Sequence, residues 1–219
     1  MDTIEIEKIK ELIESGDKTS FDLAVVLIEG NGLSAEDFIS EHYLDFINFV
    51  YKTTSDRTNL ISTLKDIICH WWCDLSNYKL TTIPKEYLYL LRHQQNLRLH
   101  GNQLSEIPTS LLDFTNLKLI TLCYNNIKNL PNNPADYFPN TITTISFSDI
   151  SEIPVNYFSY FNSLESLGLI DTKIERIPDE ISQLTNLKEF WIGGSTFNTP
   201  KEVRRLKKLL PSCKIYRKV

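Results

Sequence analysis

Residues 69–73 read CHWWC, and their residue types could bind a metal ion or carry redox chemistry. Three residues separate the two cysteines, whereas zinc ribbons and thioredoxin-like sites separate them by two. No second cysteine–histidine pair lies nearby in the sequence. The stretch is therefore either a metal or redox site or an apolar junction between two structural elements, and the elements around it must decide.

The rest of the sequence lacks the motifs of common catalytic sites. It contains no phosphate-binding loop, no dinucleotide-binding glycine motif, no serine-hydrolase elbow and no zinc-protease helix. Asp149 and Glu152 lie close together, but in a predicted loop, where solvated carboxylates are the expected explanation. The sequence predicts that the protein is not an enzyme and uses no metal, no cofactor and no small-molecule substrate.

The net charge of −5 is unevenly distributed along the 219 residues. Residues 1–70 hold 6 Lys/Arg and 14 Asp/Glu, residues 71–200 hold 9 and 13, and residues 201–219 hold 8 and 1. The acidic front argues against general nucleic-acid binding. Nucleic acid remains an alternative partner, because the C-terminal residues 201–219 are basic. The cationic residues that would bind it are Lys201, Arg204, Arg205, Lys207 and Lys208.

Composition also bears on location. No run of 18 apolar residues could span a membrane, and the charged N-terminus contains no apolar secretory segment. The four cysteines show no spacing typical of a disulfide framework. We therefore expect a cytoplasmic protein without a membrane partner.

A repeat runs through the second part of the chain. Ile-Pro or Leu-Pro closes five consecutive copies, at Pro84, Pro108, Pro131, Pro154 and Pro178, with spacings of 24, 23, 23 and 24 residues. A degenerate sixth copy ends 22 residues later, at Pro200. The shared template is LxxLxLxxNxLxxIP. The two leucines of LxL point inward from a short strand, because side chains alternate along a strand.

This template resembles the leucine-rich repeat in its bacterial form of about 23 residues, over roughly residues 70–216. The resemblance implies an α/β fold: a right-handed solenoid with a curved parallel β-sheet on its concave face. Stacked repeats share one core, which a cap must cover at each end. We expect a helical cap domain at 1–70 and a repeat domain at 71–219, with about six repeats and a C-terminal cap at 201–219.

Residues 1–70 contain no such repeat and read as four helices. Apolar stripes predict a first helix that ends at Gly16 and a second over 20–29, with Leu23, Val26 and Leu27 as its stripe. A third helix would start at Ser34, and a fourth would cover 57–69. This all-α part either caps the solenoid or carries a separate binding or effector activity.

The repeat register favours the junction interpretation of CHWWC. Counting back from Leu80 and Ile83 places Cys73 where the first core leucine of a repeat belongs, with Trp72 and Asp74 beside it pointing outward. Buried cysteine behaves as a small hydrophobe. We expect a joint between the helices and the solenoid here.

Departures from the template predict an irregular corner ladder. Asn102 and Asn125 hold the asparagine position, whereas other repeats hold Tyr78, Thr172 and Ser195. The fourth repeat loses two residues at this corner, and its preceding segment is about two residues longer. We expect a local irregularity near 132–150.

The resemblance implies a protein partner on the concave sheet. The same register predicts a central outward column that ends in Trp191 and then Lys214. Trp191 is expected to stand exposed over neighbouring glycines or to stack on Lys214, and Asp74 to pair with Arg98. The predicted partner-binding residues are Trp72, Asp74, Arg98, His100, Thr121, Tyr124, Ser146, Ile170, Asp171 and Trp191.

Overall fold

The computed structural model describes residues 3–15, 18–33, 38 and 72–218. Helix α1 (Thr3–Glu14) and helix α2 (Lys18–Gly30) confirm the first two predicted helices and pack against each other. The third and fourth predicted helices lie outside the described residues, as do residues 69–71 of the CHWWC stretch. That residues 1–70 form an all-α cap domain stays a prediction.

The apolar stripe proposed for α2 was wrong. Leu23, Val26 and Leu27 are exposed by 50%, 63% and 36%, whereas Phe21, Ala24 and Ile28 are buried. Both sets recur with a helical spacing, so periodicity alone does not select between them.

Seven short strands form one parallel sheet in chain order, β1 to β7. The strands are β1 (Trp72–Asp74), β2 (Asn96–Arg98), β3 (Leu119–Thr121), β4 (Thr144–Phe147), β5 (Ser166–Leu169), β6 (Glu189–Trp191) and β7 (Lys214–Tyr216). The returning segments hold helices α3 (Lys85–Leu90), α4 (Asn156–Tyr160) and α5 (Pro200–Leu209) and 3-10 helices Thr109–Asp113, Pro134–Asp136 and Asp179–Gln183. One strand per repeat in one parallel sheet confirms the predicted α/β repeat solenoid.

One continuous core lies between the sheet and the returning segments. Each strand from β1 to β6 supplies a buried residue at the first leucine position: Cys73, Leu97, Ile120, Ile145, Leu167 and Phe190. Further core residues come from the returning side, among them Leu111, Phe158 and Ile181. A single repeat could not bury this surface alone, so the repeats depend on their neighbours.

Buried polar side chains close the corners after strands β2 to β6. Asn125 accepts a hydrogen bond from Leu104 N–H at 3.0 Å and donates to the carbonyls of Leu99 at 2.9 Å and Leu122 at 3.1 Å. Asn102 makes the same contacts one repeat earlier. Each asparagine thus links two coils through backbone groups that water does not reach.

Where asparagine is missing, hydroxyl groups take its place. Ser195 Oγ accepts from Thr172 N–H at 3.0 Å and donates to the Leu169 carbonyl at 2.6 Å. In the shortened fourth repeat, Ser148 Oγ accepts from Tyr124 N–H at 2.5 Å. The predicted departure from an asparagine ladder is confirmed.

The chain turns through a left-handed residue at each corner. Positive φ angles occur at Asn77, Gly101, Tyr124, Asp149, Asp171 and Gly194. A Cβ at Gly194 would lie 1.6 Å from Asp171 Oδ1, and one at Gly101 would lie 2.1 Å from Asn77 Oδ1. Glycine at these two corners therefore leaves room for the side chain of the preceding repeat.

The longer segment before β4 carries the predicted irregularity. Phe138 packs edge-on against Phe147, Tyr157 and Phe161, with ring centroids 6.2, 6.4 and 5.6 Å away. Tyr157 OH also donates to the Pro131 carbonyl at 3.0 Å. This aromatic cluster fills the extra space, and β4 keeps its register with β3 and β5.

Helix α5 covers the core at the C-terminal end, with Val203, Leu206 and Leu210 buried as predicted. Thr199 caps the helix by accepting from Glu202 N–H at 3.2 Å. The Arg205 guanidinium bonds to Asp179, Glu202 and the Ile177 carbonyl, which attaches the helix to the fifth repeat.

The predicted register of the last strand was wrong by two residues. Ile215 pairs with Phe190 and Tyr216 with Trp191, so Tyr216 holds the position expected for Lys214. A shift of two residues keeps every side chain on its face. The inward and outward pattern therefore could not detect it.

The corner hydrogen bonds give a first testable prediction. Replacing Asn125 by alanine leaves the amide of Leu104 and the carbonyls of Leu99 and Leu122 buried without this partner. We expect Asn125→Ala to lower the free energy of unfolding by about 1–3 kcal/mol, measured by urea denaturation. The side chain of the neighbouring Asn126 is exposed and makes one long hydrogen bond, to the Gln103 carbonyl at 3.4 Å. Asn126→Ala is the matched control, and equal losses in both variants would contradict the assignment.

Candidate protein-binding surface

The outward face is the face of the sheet turned away from the core. Strand pairing aligns one residue per strand in a central column on this face: Asp74, Arg98, Thr121, Ser146, Gly168, Trp191 and Tyr216. The first six were predicted at these positions, and the seventh is the corrected one. Trp72 pairs with Asn96 beside the start of this column.

A charged cluster occupies the beginning of the outward face. Arg98 Nη1 lies 3.9 Å from Asp74 Oδ2, which confirms the predicted pairing of these two residues. Ser76 N–H donates to Asp74 Oδ1 at 3.0 Å, and Ser76 Oγ lies 2.7 Å from His100 Nδ1. Three of the predicted site residues, Asp74, Arg98 and His100, thus belong to one polar network that Ser76 connects.

The network favours the ionised form of Asp74. Partial burial opposes ionisation, but the hydrogen bonds from Ser76 and the charges of Arg98 and His100 outweigh it and lower the Asp74 pKa. The arrangement places an ionised carboxylate beside a guanidinium on the surface.

Small side chains form the middle of the column. Thr121, Ser146 and Gly168 occupy adjacent strands, and a Cβ at Gly168 would lie 2.7 Å from the Cβ of Ser146. Glycine is therefore required for the close approach of these strands. Beside them, Cys123 is buried, and burial raises the pKa of its thiol to about 11.

Tyr124 and Asp171 meet at the edge where the strands end. Tyr124 is 47% exposed, and its OH donates to Asp171 Oδ2 at 3.0 Å. The bond joins the third repeat to the fifth, across the shortened fourth. The half-buried Ile170 precedes Asp171 on the same corner.

An aromatic pair, Trp191 and Tyr216, occupies the far end of the outward face. Their rings stack with centroids 3.9 Å apart and an interplanar angle of 8°. Trp191 Nε1 and Tyr216 OH both donate to the Glu189 carboxylate, at 3.4 and 3.3 Å. Lys214 Nζ lies 4.6 Å from the Tyr216 ring centroid. Trp191 is therefore half-buried and held on Tyr216, not free above the glycines or stacked on Lys214.

The predicted site residues thus fall into separate groups along one face. The structure brings together Asp74 with Arg98 and His100, and Tyr124 with Asp171, while Trp191 lies apart from both. Sequence reasoning missed Glu189 and Tyr216 as the partners of Trp191. The correct register of β7 would have revealed Tyr216, but the inward–outward pattern does not determine that register.

Cys73 fills the predicted core position. It is 9% exposed, and burial together with the neighbouring Asp74 charge raises its pKa to about 12. The thiols of Cys73, Cys123 and Cys213 are free. Within the described ranges, no three His, Cys, Asp or Glu side chains are grouped so that they could hold a metal ion. Over the same ranges, no helix has the length and apolar character to cross a membrane.

Comparison with known proteins supports the fold. A search of solved structures matches a leucine-rich repeat protein of Leptospira interrogans, with a TM-score of 0.57 and 27% sequence identity. The alignment covers 66% of this chain and 36% of that protein, so this chain spans about a third of its length. No protein-family model matches the sequence, and a search of curated proteins finds no match. The chain is an α/β repeat solenoid similar to a leucine-rich repeat protein.

The Asp74 network gives a pH-dependent prediction. Because folding lowers the Asp74 pKa, the ionised carboxylate stabilises the folded state above the unfolded pKa of about 3.9. This contribution is lost as the pH falls through the folded pKa. Asp74→Asn should lower the unfolding free energy at pH 7 by up to about 1 kcal/mol, since the pair is exposed.

Urea denaturation of wild type and variant between pH 7 and pH 3 tests this prediction. The difference should shrink as the pH falls below 4, and a difference that grows in acid would contradict it. Asp113→Asn is the control, because Asp113 is exposed and forms no ion pair with another described residue.

Proposed function

We propose that this chain is a non-catalytic recognition module of the leucine-rich repeat type, which binds a partner protein through its outward face. The proposal includes a bacterial, cytoplasmic setting. Its proposed contact residues are Trp72, Asp74, Arg98, His100, Thr121, Tyr124, Ser146, Ile170, Asp171 and Trp191.

The observation that carries the proposal is a face whose two aromatic side chains are ordered by contacts with their neighbours. Tyr124 bonds to Asp171, and Trp191 stacks on Tyr216 and bonds to Glu189. Arg98 forms an exposed pair with Asp74 beside them on the sheet. Side chains that are already ordered lose little conformational entropy on binding. Tyrosine, tryptophan and arginine are also the residues that most often dominate interface energies.

The similarity to a leucine-rich repeat protein supports a binding role over a catalytic one, by analogy of fold. The contacts favour the same conclusion, since Tyr124 bonds to Asp171 and Trp191 to Glu189 on this face. Cys73 and Cys123 are buried thiols with raised pKa values, so neither resembles an activated nucleophile.

Site-specific photocrosslinking tests the proposal. Tyr124 and Leu112 are exposed by 47% and 44%, and Leu112 lies in a 3-10 helix on the opposite side of the core. p-Benzoylphenylalanine placed at either position preserves an exposed apolar side chain. We expect a discrete crosslinked partner from cell lysate with the probe at position 124 and none at position 112.

A second arm uses the same captured protein. Its crosslink at position 124 should decrease at least tenfold when Arg98→Glu is added. Both chains are first checked for equal melting temperature. A partner captured only by the probe at position 112 would show that the interface lies away from the outward face. A crosslink at position 124 that Arg98→Glu leaves unchanged would lead to the same conclusion.

A further inference from the structure

Strand β7 is an edge of the sheet. Among the described residues it pairs with β6 alone, through bonds that include Lys214 N–H to the Lys188 carbonyl and Ile192 N–H to the Tyr216 carbonyl. Successive residues of a strand direct their backbone groups to opposite sides. The N–H and C=O of Ile215 therefore point to the open edge.

The apolar surface beneath β7 is only partly covered. Ile215 is partly buried, whereas the residues at the equivalent position of β1 to β6 are at most 9% exposed. Cys213 and Leu209 are also partly buried and packed against the core. An added strand would pair with Ile215 and cover the side chains of Ile215 and Cys213.

Positive charge surrounds this edge. Lys214 is exposed on the strand, and Arg217 and Lys218 are exposed just after it. Residues 201–219 hold 8 Lys/Arg against 1 Asp/Glu. Neither Lys214 nor Lys218 forms an ion pair with another described residue. Pairing of two copies edge to edge would bring like charges together, which disfavours self-association here.

We propose that the β7 edge accepts an extended acidic segment of a partner protein as an eighth strand. Its backbone pairs with Ile215, its acidic side chains meet Lys214 and Lys218, and its alternate apolar side chains cover Ile215 and Cys213. This mode of strand addition combines backbone affinity with side-chain specificity. The site is the open edge of the sheet, which adjoins the outward face at Lys214 and Tyr216, and the proposal does not depend on the function proposed for that face.

A defined probe tests the edge directly. We would use a fluorescent eight-residue peptide that alternates glutamate with valine, and measure its binding to the full 219-residue chain by fluorescence polarisation. A peptide with lysine in place of glutamate is the charge control. We expect saturable binding of the acidic peptide only, together with slowed hydrogen exchange of the Ile215 amide.

Ile215→Pro removes the edge N–H, and proline is tolerated where that group faces away from the sheet. Ile215→Ala is its matched control, because it removes side-chain volume but keeps the amide. The proline variant should weaken binding at least tenfold relative to the alanine variant. Equal binding by the two variants would overturn the proposal.

A second test of strand addition modifies the peptide and leaves the protein sequence unchanged. Methylating the backbone nitrogens of either alternate set blocks one edge of the probe strand. Strand addition requires that one set abolishes binding and the other preserves it, whereas equal effects of both sets would overturn it.

Two substitutions distinguish peptide binding at the β7 edge from binding at the exposed face of α5. Lys214→Gln removes a charge from the edge, and Lys207→Gln removes one from the helix. The strand proposal expects the first substitution to weaken peptide binding severalfold and the second to leave it unchanged. A single-stranded oligonucleotide that displaces the peptide, with a steep salt dependence and equal sensitivity to both substitutions, would assign the charges to a polyanion and overturn the proposal.

Discussion

The fold depends on satisfying the backbone groups that each coil turns into the core at its corner. Buried amides and carbonyls must find partners, and Asn102 and Asn125 supply them by bonding to two coils at once. Ser148 and Ser195 bond to the backbone of the preceding coil with shorter side chains. Because each of these four residues makes at least one bond to the preceding repeat, it fixes the position of one coil on the next. The parallel register of the sheet, and with it the order of side chains on the outward face, follows from these corners.

The shortened fourth repeat shows how this constraint shapes the surface. Two residues are missing at its corner, and Ser148 Oγ takes over the contact with the backbone of Tyr124. With that corner reduced, the Tyr124 side chain reaches past the fourth repeat and donates to Asp171 in the fifth. Tyr124 is thus 47% exposed, with its backbone N–H bonded to Ser148 and its hydroxyl bonded to Asp171.

The sequence predicted most of the fold, because the core leucine positions and the prolines recur with a nearly constant spacing. It aligned β1 to β6 correctly and placed Cys73 in the core. It failed at β7, where helix α5 replaces the usual return and a shift of two residues keeps the same faces. For the same reason it missed Tyr216 as the partner of Trp191. In α2, two apolar sets share one helical spacing, so only the packing of Phe21 and Ile28 shows which face is buried.

The groups on the outward face differ in what binding would require of them. Asp74 and Arg98 lie 3.9 Å apart and are exposed, so a partner could exchange that weak pair for its own charges at little cost. Such exchange orients a complex more than it stabilises it. The Tyr124 and Trp191 rings are already held by Asp171 and Glu189. They offer apolar surface without loss of those bonds. Recognition on this face would therefore draw its free energy mainly from the two aromatic positions, and its orientation from the charged beginning of the sheet.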